Sequence, residues 1–101
     1  MKLAVGQSLV SSVDSTTVIV TRAGDEEVSL ACGGVEMVTV GADPVEGVAD
    51  PHLQAGALLG KRYVDGAGTV EVLVTKGGSG TLTLDGESMG ILGAKPLPAS
   101  D

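Results

Sequence analysis

The stretch that decides the fold is residues 60–92, which reads GKRYVDGAGTVEVLVTKGGSGTLTLDGESMGIL. Short runs of β-branched and aliphatic residues alternate here with glycine-rich turns, a pattern that is typical of an antiparallel meander. The predicted strands cover residues 61–64, 69–75, 81–84 and 87–92. Four antiparallel strands joined by short turns are therefore the first structural prediction.

The second of these strands shows the clearest alternation. Val70, Val72 and Val74 fall on one face, whereas positions 69, 71 and 75 on the other face are polar. Because successive side chains of a strand point to opposite faces, this pattern predicts a half-buried strand. The pair Asp85-Gly86 predicts a tight hairpin, because a type I′ turn needs positive φ at both central residues.

The N-terminal part has the same character. Strands are predicted at residues 16–22, 27–32 and 35–40, with turns at residues 23–26 and 33–34 between them. Val and Leu dominate the apolar residues and there is no Phe or Trp, a composition that favours strands. We predict an all-β fold, a small antiparallel barrel or sandwich of about seven short strands in one domain spanning residues 1–93.

The two predicted β halves resemble each other. Residues 27–34, EVSLACGG, align without gaps to residues 71–78, EVLVTKGG, with four of eight positions identical. One interpretation is a duplicated hairpin that gives a pseudo-symmetric fold. The other is chance similarity in a chain that is rich in Val and Gly.

Residues 41–60 are predicted to form one long irregular loop. Asp43-Pro44 and Asp50-Pro51 end regular structure there, since proline lacks a backbone donor and restricts the residue before it. Residues 52–59 have the spacing for one or two helical turns, although Gly56 weakens them. Long loops in compact domains cover an edge or belong to a site, so any functional loop is expected here.

Residues 94–101 are predicted to follow the domain as an extended tail. The segment Pro96-Leu97-Pro98 favours a polyproline-type conformation, which loses little entropy when it docks. The tail is either a frayed terminus or an interaction arm that packs on a neighbouring subunit or on a partner protein.

Charge and composition exclude several classes of partner. The net charge is −7 and only six of 101 residues are Lys or Arg, so we predict binding neither to nucleic acid nor to an anionic membrane. A core without large aromatic anchors predicts a marginal monomer and hence a homo-oligomer. The single cysteine, Cys32, has no internal disulfide partner, and neither a signal sequence nor an apolar run of membrane-spanning length is evident, so a cytoplasmic location is predicted.

The supply of reactive side chains is small. The chain has one His, one Cys and one Tyr, too few for a blue-copper site or a four-ligand zinc site. A nucleophilic pair of Cys32 and His52 is disfavoured, because Cys32 falls on the inward face of a strand in an acidic protein. Asp43, Glu46 and Asp50 do not have the spacing of an EF-hand loop. We therefore predict no catalytic residue, metal or cofactor.

The sequence thus favours a non-enzymatic function. We predict a small β protein that acts in homo-oligomeric assembly, or as an accessory subunit of a larger protein, through its edge strands and its tail. The alternative is a β-barrel that binds a small ligand or a metal at residues 41–63. In that case His52, Lys61, Arg62 and Tyr63 would be the polar anchors of an otherwise apolar cavity.

Overall fold

The computed structural model describes residues 1–92. The ten strands of this region are β1 (Ser8–Val10), β2 (Thr17–Arg22), β3 (Leu30–Cys32), β4 (Val35–Glu36), β5 (Val38–Thr39), β6 (Arg62–Val64), β7 (Glu71–Lys76), β8 (Leu82–Leu84), β9 (Glu87–Ser88) and β10 (Gly90–Ile91). They form a six-stranded sheet of order β10-β6-β7-β2-β1-β5 and a four-stranded sheet of order β4-β3-β8-β9. All strand pairs are antiparallel, so the predicted all-β class is confirmed.

The helical turns expected at residues 52–59 are absent, and residues 1–92 contain no helix at all. Gly56 has a φ of +95°, outside the helical region, and Ala57 forms a β-bridge with Gly78. The end of the long loop is therefore held as extended chain by a neighbouring turn, because backbone pairing satisfies the groups that a helix would have paired internally.

Two of the predicted strands are each divided in two and β1 precedes all of them, which gives ten strands instead of about seven. β4 pairs with β3 in the four-stranded sheet, whereas β5 pairs with β1 in the six-stranded sheet. Between them, Met37 donates its amide to Leu30 O and buries its side chain completely. The chain thus changes sheet at a buried methionine, and Met89 does the same between β9 and β10.

The two sheets have a pseudo-twofold arrangement. We match β1–β5 in order with β6–β10. Exchanging each strand for its match reverses both strand orders, so each sheet is symmetric about its centre. Matched residues differ by 54 in number for β1/β6 and β2/β7, and by 52 for the three later pairs of strands. Matched residues are called counterparts below, and residues 1–40 and 55–92 are called the first half and the second half.

Backbone hydrogen bonds outside the ladders repeat between the halves. Gly6 N donates to Val20 O over 2.8 Å, and its counterpart Gly60 N donates to Val74 O over 2.9 Å. Seven such bonds have counterparts, including those of the two methionine amides. The relation therefore extends to the turns that connect the strands and is not confined to strand order.

The buried core follows the same relation. Every member of the main cluster has a buried counterpart, although the counterpart of Val70 is polar. The eight pairs are Leu3/Ala57, Leu9/Tyr63, Thr16/Val70, Val18/Val72, Val20/Val74, Leu30/Leu82, Cys32/Leu84 and Met37/Met89. Four of the eight pairs have the same residue in both halves and four differ, so a pair that differs marks a local adaptation in one half.

The internal similarity has a different register from the one expected. Aligning residues 27–34 with residues 71–78 would match β3 with β7, whereas the topology matches β2 with β7 and β3 with β8. In the structural register, residues 18–22, VIVTR, match residues 72–76, VLVTK. Two additional residues in the β2–β3 turn change the offset from 54 to 52, so no single gapless alignment covers the whole of both halves.

Candidate functional site

One groove of about 520 Å³ has an acidic rim and is called the acidic groove below. Its apolar lining comes from Leu3, Val28, Val70 and Leu84, and its carboxylates are those of Asp25, Glu26, Asp65 and Asp85. Of the four apolar residues all but Val28 are buried, whereas three of the four acids are exposed and Asp65 is half-buried. An apolar floor below a ring of carboxylates suits a side chain with an apolar stem and a cationic head.

Two of the rim carboxylates are positioned by backbone amides. Asp65 Oδ1 accepts hydrogen bonds from Thr69 N over 2.7 Å and from Val70 N over 2.9 Å. Asp85 Oδ1 accepts from Ser29 N over 2.8 Å. These two carboxylates are therefore preorganised, because Asp65 is held by amides of its own turn and Asp85 by an amide of the β2–β3 turn.

The counterpart of the acidic groove is filled by the side chain of Asp14. Its Oδ1 accepts from Thr16 N over 3.0 Å and its Oδ2 accepts from Gly80 N over 2.7 Å. The counterpart of Asp14 is Gly68, which has no side chain to insert. The same position is therefore occupied by a carboxylate in one half and left as a groove in the other.

The glycines around Asp14 are required by close packing. A Cβ on Gly80 would lie 2.6 Å from Cys32 Sγ, and a Cβ on Gly78 would lie 2.2 Å from Thr16 Oγ1. Both distances are shorter than van der Waals contact, so a side chain at Gly78 or Gly80 would clash with this cluster.

Cys32 lies in the same cluster with an unreactive thiol. Its Sγ is fully buried and lies 3.7 Å from Asp14 Oδ1 and 3.8 Å from Oδ2, a geometry in which the thiol donates to the carboxylate. Burial raises the pKa of Cys32, and the negative charge of Asp14 raises it further. The thiol therefore stays protonated near neutral pH, opposite to what a nucleophilic cysteine needs.

Thr16 is the most deeply buried of the polar residues in the described region. It is fully buried, and its Oγ1 has no hydrogen-bond partner among residues 1–92. Its counterpart is Val70, which fills the equivalent position with a methyl group. The hydroxyl thus lies at a position that the fold uses for an aliphatic side chain.

A second groove, of about 310 Å³, is called the apolar groove below. It is lined by Ala55, Gly56, Leu58, Tyr63, Thr81, Leu82, Ser88, Met89 and Ile91. Tyr63 is buried, and its hydroxyl accepts a hydrogen bond from Leu58 N over 3.0 Å, which fixes the wall of the groove. Most of the lining is aliphatic or thioether, so the groove suits an apolar side chain.

The counterpart of the apolar groove is crossed by side chains of the first half. Gln7 Nε2 lies 3.8 Å from Met1 Sδ and donates to Thr39 Oγ1 over 3.1 Å. Met1 is half-buried and packs against the core, whereas its counterpart in the groove is Ala55. The apolar groove is therefore open where the first half has a methionine.

The residues predicted to anchor a ligand are not gathered in one site. Tyr63 lines the apolar groove, but the described lining does not include His52, Lys61 or Arg62. His52 is exposed, and its backbone amide donates to Asp50 Oδ1 over 2.8 Å. Lys61 is exposed as well, and Arg62 Nη1 lies 4.0 Å from Glu71 Oε2. The interaction-tail residues Pro96, Leu97 and Pro98 lie outside the described residues.

Glu71 is the one buried carboxylate-bearing residue of the described region, with 8% exposure. Thr21 Oγ1 donates to its Oε2 over 2.7 Å, and Arg62 approaches the same oxygen from the exposed side. The charge is therefore hydrogen-bonded and paired, which is the usual condition for a structural carboxylate.

The described residues contain no group of three or more His, Cys, Asp or Glu side chains arranged to hold a metal ion. Within residues 1–92 there is also no helix long and apolar enough to cross a membrane. No family model matches the chain, and neither a curated protein nor a solved structure matches it. The two grooves are therefore interpreted from their own chemistry.

Sequence reasoning missed the acidic groove and the Asp14 cluster, whereas for the apolar groove it named Tyr63 and the long loop but not the strands that complete the lining. The acids of the rim come from three separate turns, and the apolar groove combines the end of the long loop with β6, β8 and β10. One signal was available in the sequence. The matching segments at residues 18–22 and 72–76 reveal the register of the halves, and the register shows which positions differ.

Proposed function

We propose that this chain is a non-enzymatic interaction module that assembles with a second copy of itself through the apolar groove and the leucines around it. These leucines, called the leucine face, are Leu58, Leu59 and Leu92, with exposures of 53%, 67% and 44%. Leu58 O accepts from Lys61 N, and Leu92 N donates to Arg62 O, so the face surrounds the start of β6. This exposed apolar face beside an open groove is the observation that carries the proposal.

The energy for assembly would come from side chains and not from strand addition. β10 is the edge of the six-stranded sheet and is only two residues long, so its free backbone groups offer few hydrogen bonds to another strand. Burying one leucine side chain fully contributes about 1.5–3 kcal/mol. Three half-exposed leucines and the groove lining can therefore supply most of the association energy of a modest dimer.

The pseudo-twofold relation supports a second copy as the partner. The other edge of the same sheet, at β5, also exposes aliphatic side chains: Val5 is 69% exposed and Val40 is 56% exposed. These are the counterparts of Leu59 and Leu92, so both edges carry related apolar surfaces. A closed dimer uses the same surface on both subunits. A contact between two leucine faces would meet this requirement and would place the apolar grooves of both subunits in one interface.

The test compares two charge insertions at exposed aliphatic residues. Leu59→Glu changes the leucine face, and Val48→Glu changes a residue of the long loop that is 90% exposed and does not line the apolar groove. Native mass spectrometry and sedimentation velocity should show a dimer for the wild type and for Val48→Glu. We expect Leu59→Glu to weaken the dimer at least about tenfold, which is 1.4 kcal/mol. Circular dichroism checks that each variant is folded.

Two outcomes would contradict self-assembly. A wild type that stays monomeric at high concentration would leave a larger protein as the partner of the leucine face. Equal effects of Leu59→Glu and Val48→Glu would show that the association does not use this face.

The second candidate function is small-ligand binding in the apolar groove. The specific observation in its favour is the Tyr63 hydroxyl at the groove wall, together with Thr81 and Ser88 in the lining. A volume of about 310 Å³ is at the lower end of ligand-binding cavities, so this candidate ranks second. If native mass spectrometry showed a monomer that retains the extra mass of a bound molecule, small-ligand binding would be favoured over self-assembly.

A further inference from the structure

The start of the long loop crosses the first half along a defined path. Ala42 N donates to Thr39 O over 2.9 Å, and Val45 N donates to Ser12 Oγ over 2.9 Å. Gly47 packs so tightly on Val35 that a Cβ would lie 2.7 Å from Val35 Cγ2. Asp50 N then donates to Gly33 O over 2.8 Å. The loop thereby connects the β1–β2 turn with the β3–β4 turn.

The same two turns of the second half form the mouth of the acidic groove. The counterpart of Ser12 is Gly66, which lies between the lining residues Asp65 and Ala67. The counterpart of Gly33 is Asp85, another lining residue. A segment that followed the equivalent path in the second half would therefore cross the mouth of this groove.

The sequence after β10 continues the internal match. Residues 41–45 read GADPV, and residues 93–97, which have the same offset of 52, read GAKPL. Three of the five positions are identical and Val45 matches Leu97. The clear chemical change is Asp43 to Lys95, which places a cation opposite a rim made of four carboxylates. Charge and sequence thus both favour the segment that follows β10 as the occupant.

We propose that residues 93–101 dock on the acidic groove of their own chain, along the path that residues 41–49 take in the first half. Leu97 lies over Gly66 in this arrangement, and the Lys95 ammonium meets the carboxylates of Asp65 and Asp85. This inference does not depend on the leucine face, which lies around the opposite end of β6.

Disulfide trapping in the full-length chain tests the docking. The variant Gly66→Cys with Leu97→Cys should form an intramolecular disulfide under mild oxidation. Gly66 tolerates the change, because a Cβ there meets nothing within 4 Å and its φ is not positive. The native Cys32 is fully buried and is therefore protected from this reaction. Non-reducing electrophoresis and peptide mass mapping identify the bond.

Two further double variants calibrate the result. Ser12→Cys with Val45→Cys reproduces the contact that is present in the first half, so it should cross-link readily. Ser79→Cys with Leu97→Cys is the matched negative control, because Ser79 lies beyond the opposite end of β7 from Gly66. Adding Lys95→Glu to the Gly66–Leu97 variant should slow its cross-linking several-fold.

Three results would overturn the inference. One is the absence of the Gly66–Leu97 bond while the Ser12–Val45 bond forms. Another is equal cross-linking of Leu97 with Gly66 and with Ser79, which would show random collision. A disulfide that joins two chains would show that the segment docks on a second copy, and Leu59→Glu in that background would separate this exchange from assembly through the leucine face.

Discussion

Replacing Thr16 by its counterpart residue is predicted to stabilise the protein. Thr16 is fully buried, and its Oγ1 has no hydrogen-bond partner among residues 1–92. The counterpart position holds Val70, which is 1% exposed in the same core cluster. Thr16→Val keeps the branched shape and replaces the hydroxyl with a methyl group, so it removes the polar atom without opening a cavity.

The magnitude follows from the cost of an unsatisfied polar group. Leaving a buried hydroxyl unpaired costs about 1–3 kcal/mol relative to its hydrated state. We expect Thr16→Val to raise the free energy of unfolding by about 1–2 kcal/mol, since the added methyl group packs in a position shaped by a hydroxyl. For a chain of this size, 1 kcal/mol corresponds to a rise in Tm of about 4–8 °C.

Urea unfolding followed by circular dichroism measures the change, with Val70→Thr as the reciprocal variant. Val70→Thr introduces a buried hydroxyl at the matched position and should lower the free energy of unfolding by about 1–3 kcal/mol. The reasoning would be refuted if Thr16→Val destabilised the protein. That result would mean that the Thr16 hydroxyl makes a bond to Asp14 or Cys32 that the fold requires.

Three further changes test the neighbouring features. Gly80→Ala should lower the free energy of unfolding by about 1–3 kcal/mol, because its Cβ would meet Cys32 Sγ at 2.6 Å, whereas Gly66→Ala should be nearly neutral in the same urea titration. Burial works to raise the pKa of Asp14, but hydrogen bonds to its carboxylate, chiefly from the amides of Thr16 and Gly80, together outweigh it, so the folded pKa is lowered. This carboxylate therefore stabilises the fold above its unfolded pKa of about 3.9, and the contribution is lost as the pH falls through the lower folded pKa. Asp14→Asn should consequently be less stable than the wild type near pH 6, with the difference shrinking towards pH 2; a difference independent of pH would contradict this account. Ala55→Met should fill the apolar groove and weaken self-association measured by sedimentation, and an unchanged dimer would argue against the groove as part of the interface.

Local patterns predicted the parts of the fold that depend on neighbours in sequence. The alternation at residues 69–75 correctly placed Val70, Val72 and Val74 in the core, since the two-residue period of a strand is a local property. The Asp85-Gly86 turn was also correct, with φ of 51° and 87°, because backbone sterics alone demand these residues there. Neither conclusion required knowledge of which strands pair.

Local patterns did not predict which sheet each strand belongs to. The predicted strand at residues 35–40 looks continuous, yet β4 and β5 belong to different sheets, and Met37 marks the change. An alternating pattern states which side chains are buried but not which sheet buries them. The switch depends on pairing with β3 and β1, whose residues are distant along the chain, so only the tertiary structure decided it.

The same division holds for the candidate sites. The sequence by itself determined the acidic charge and the single His, Cys and Tyr, because charge and residue counts do not depend on folding, and local alternation predicted the all-β class. Only the tertiary structure showed that Asp14 fills a position in the first half whose counterpart, at Gly68, is left open as the acidic groove. It also showed that Ala55 leaves the apolar groove open, whereas Met1 fills the equivalent position in the first half. Each groove exists because side chains fill a position in the first half and leave its counterpart in the second half open. This difference can be seen only when equivalent positions of the two halves are compared in the folded structure.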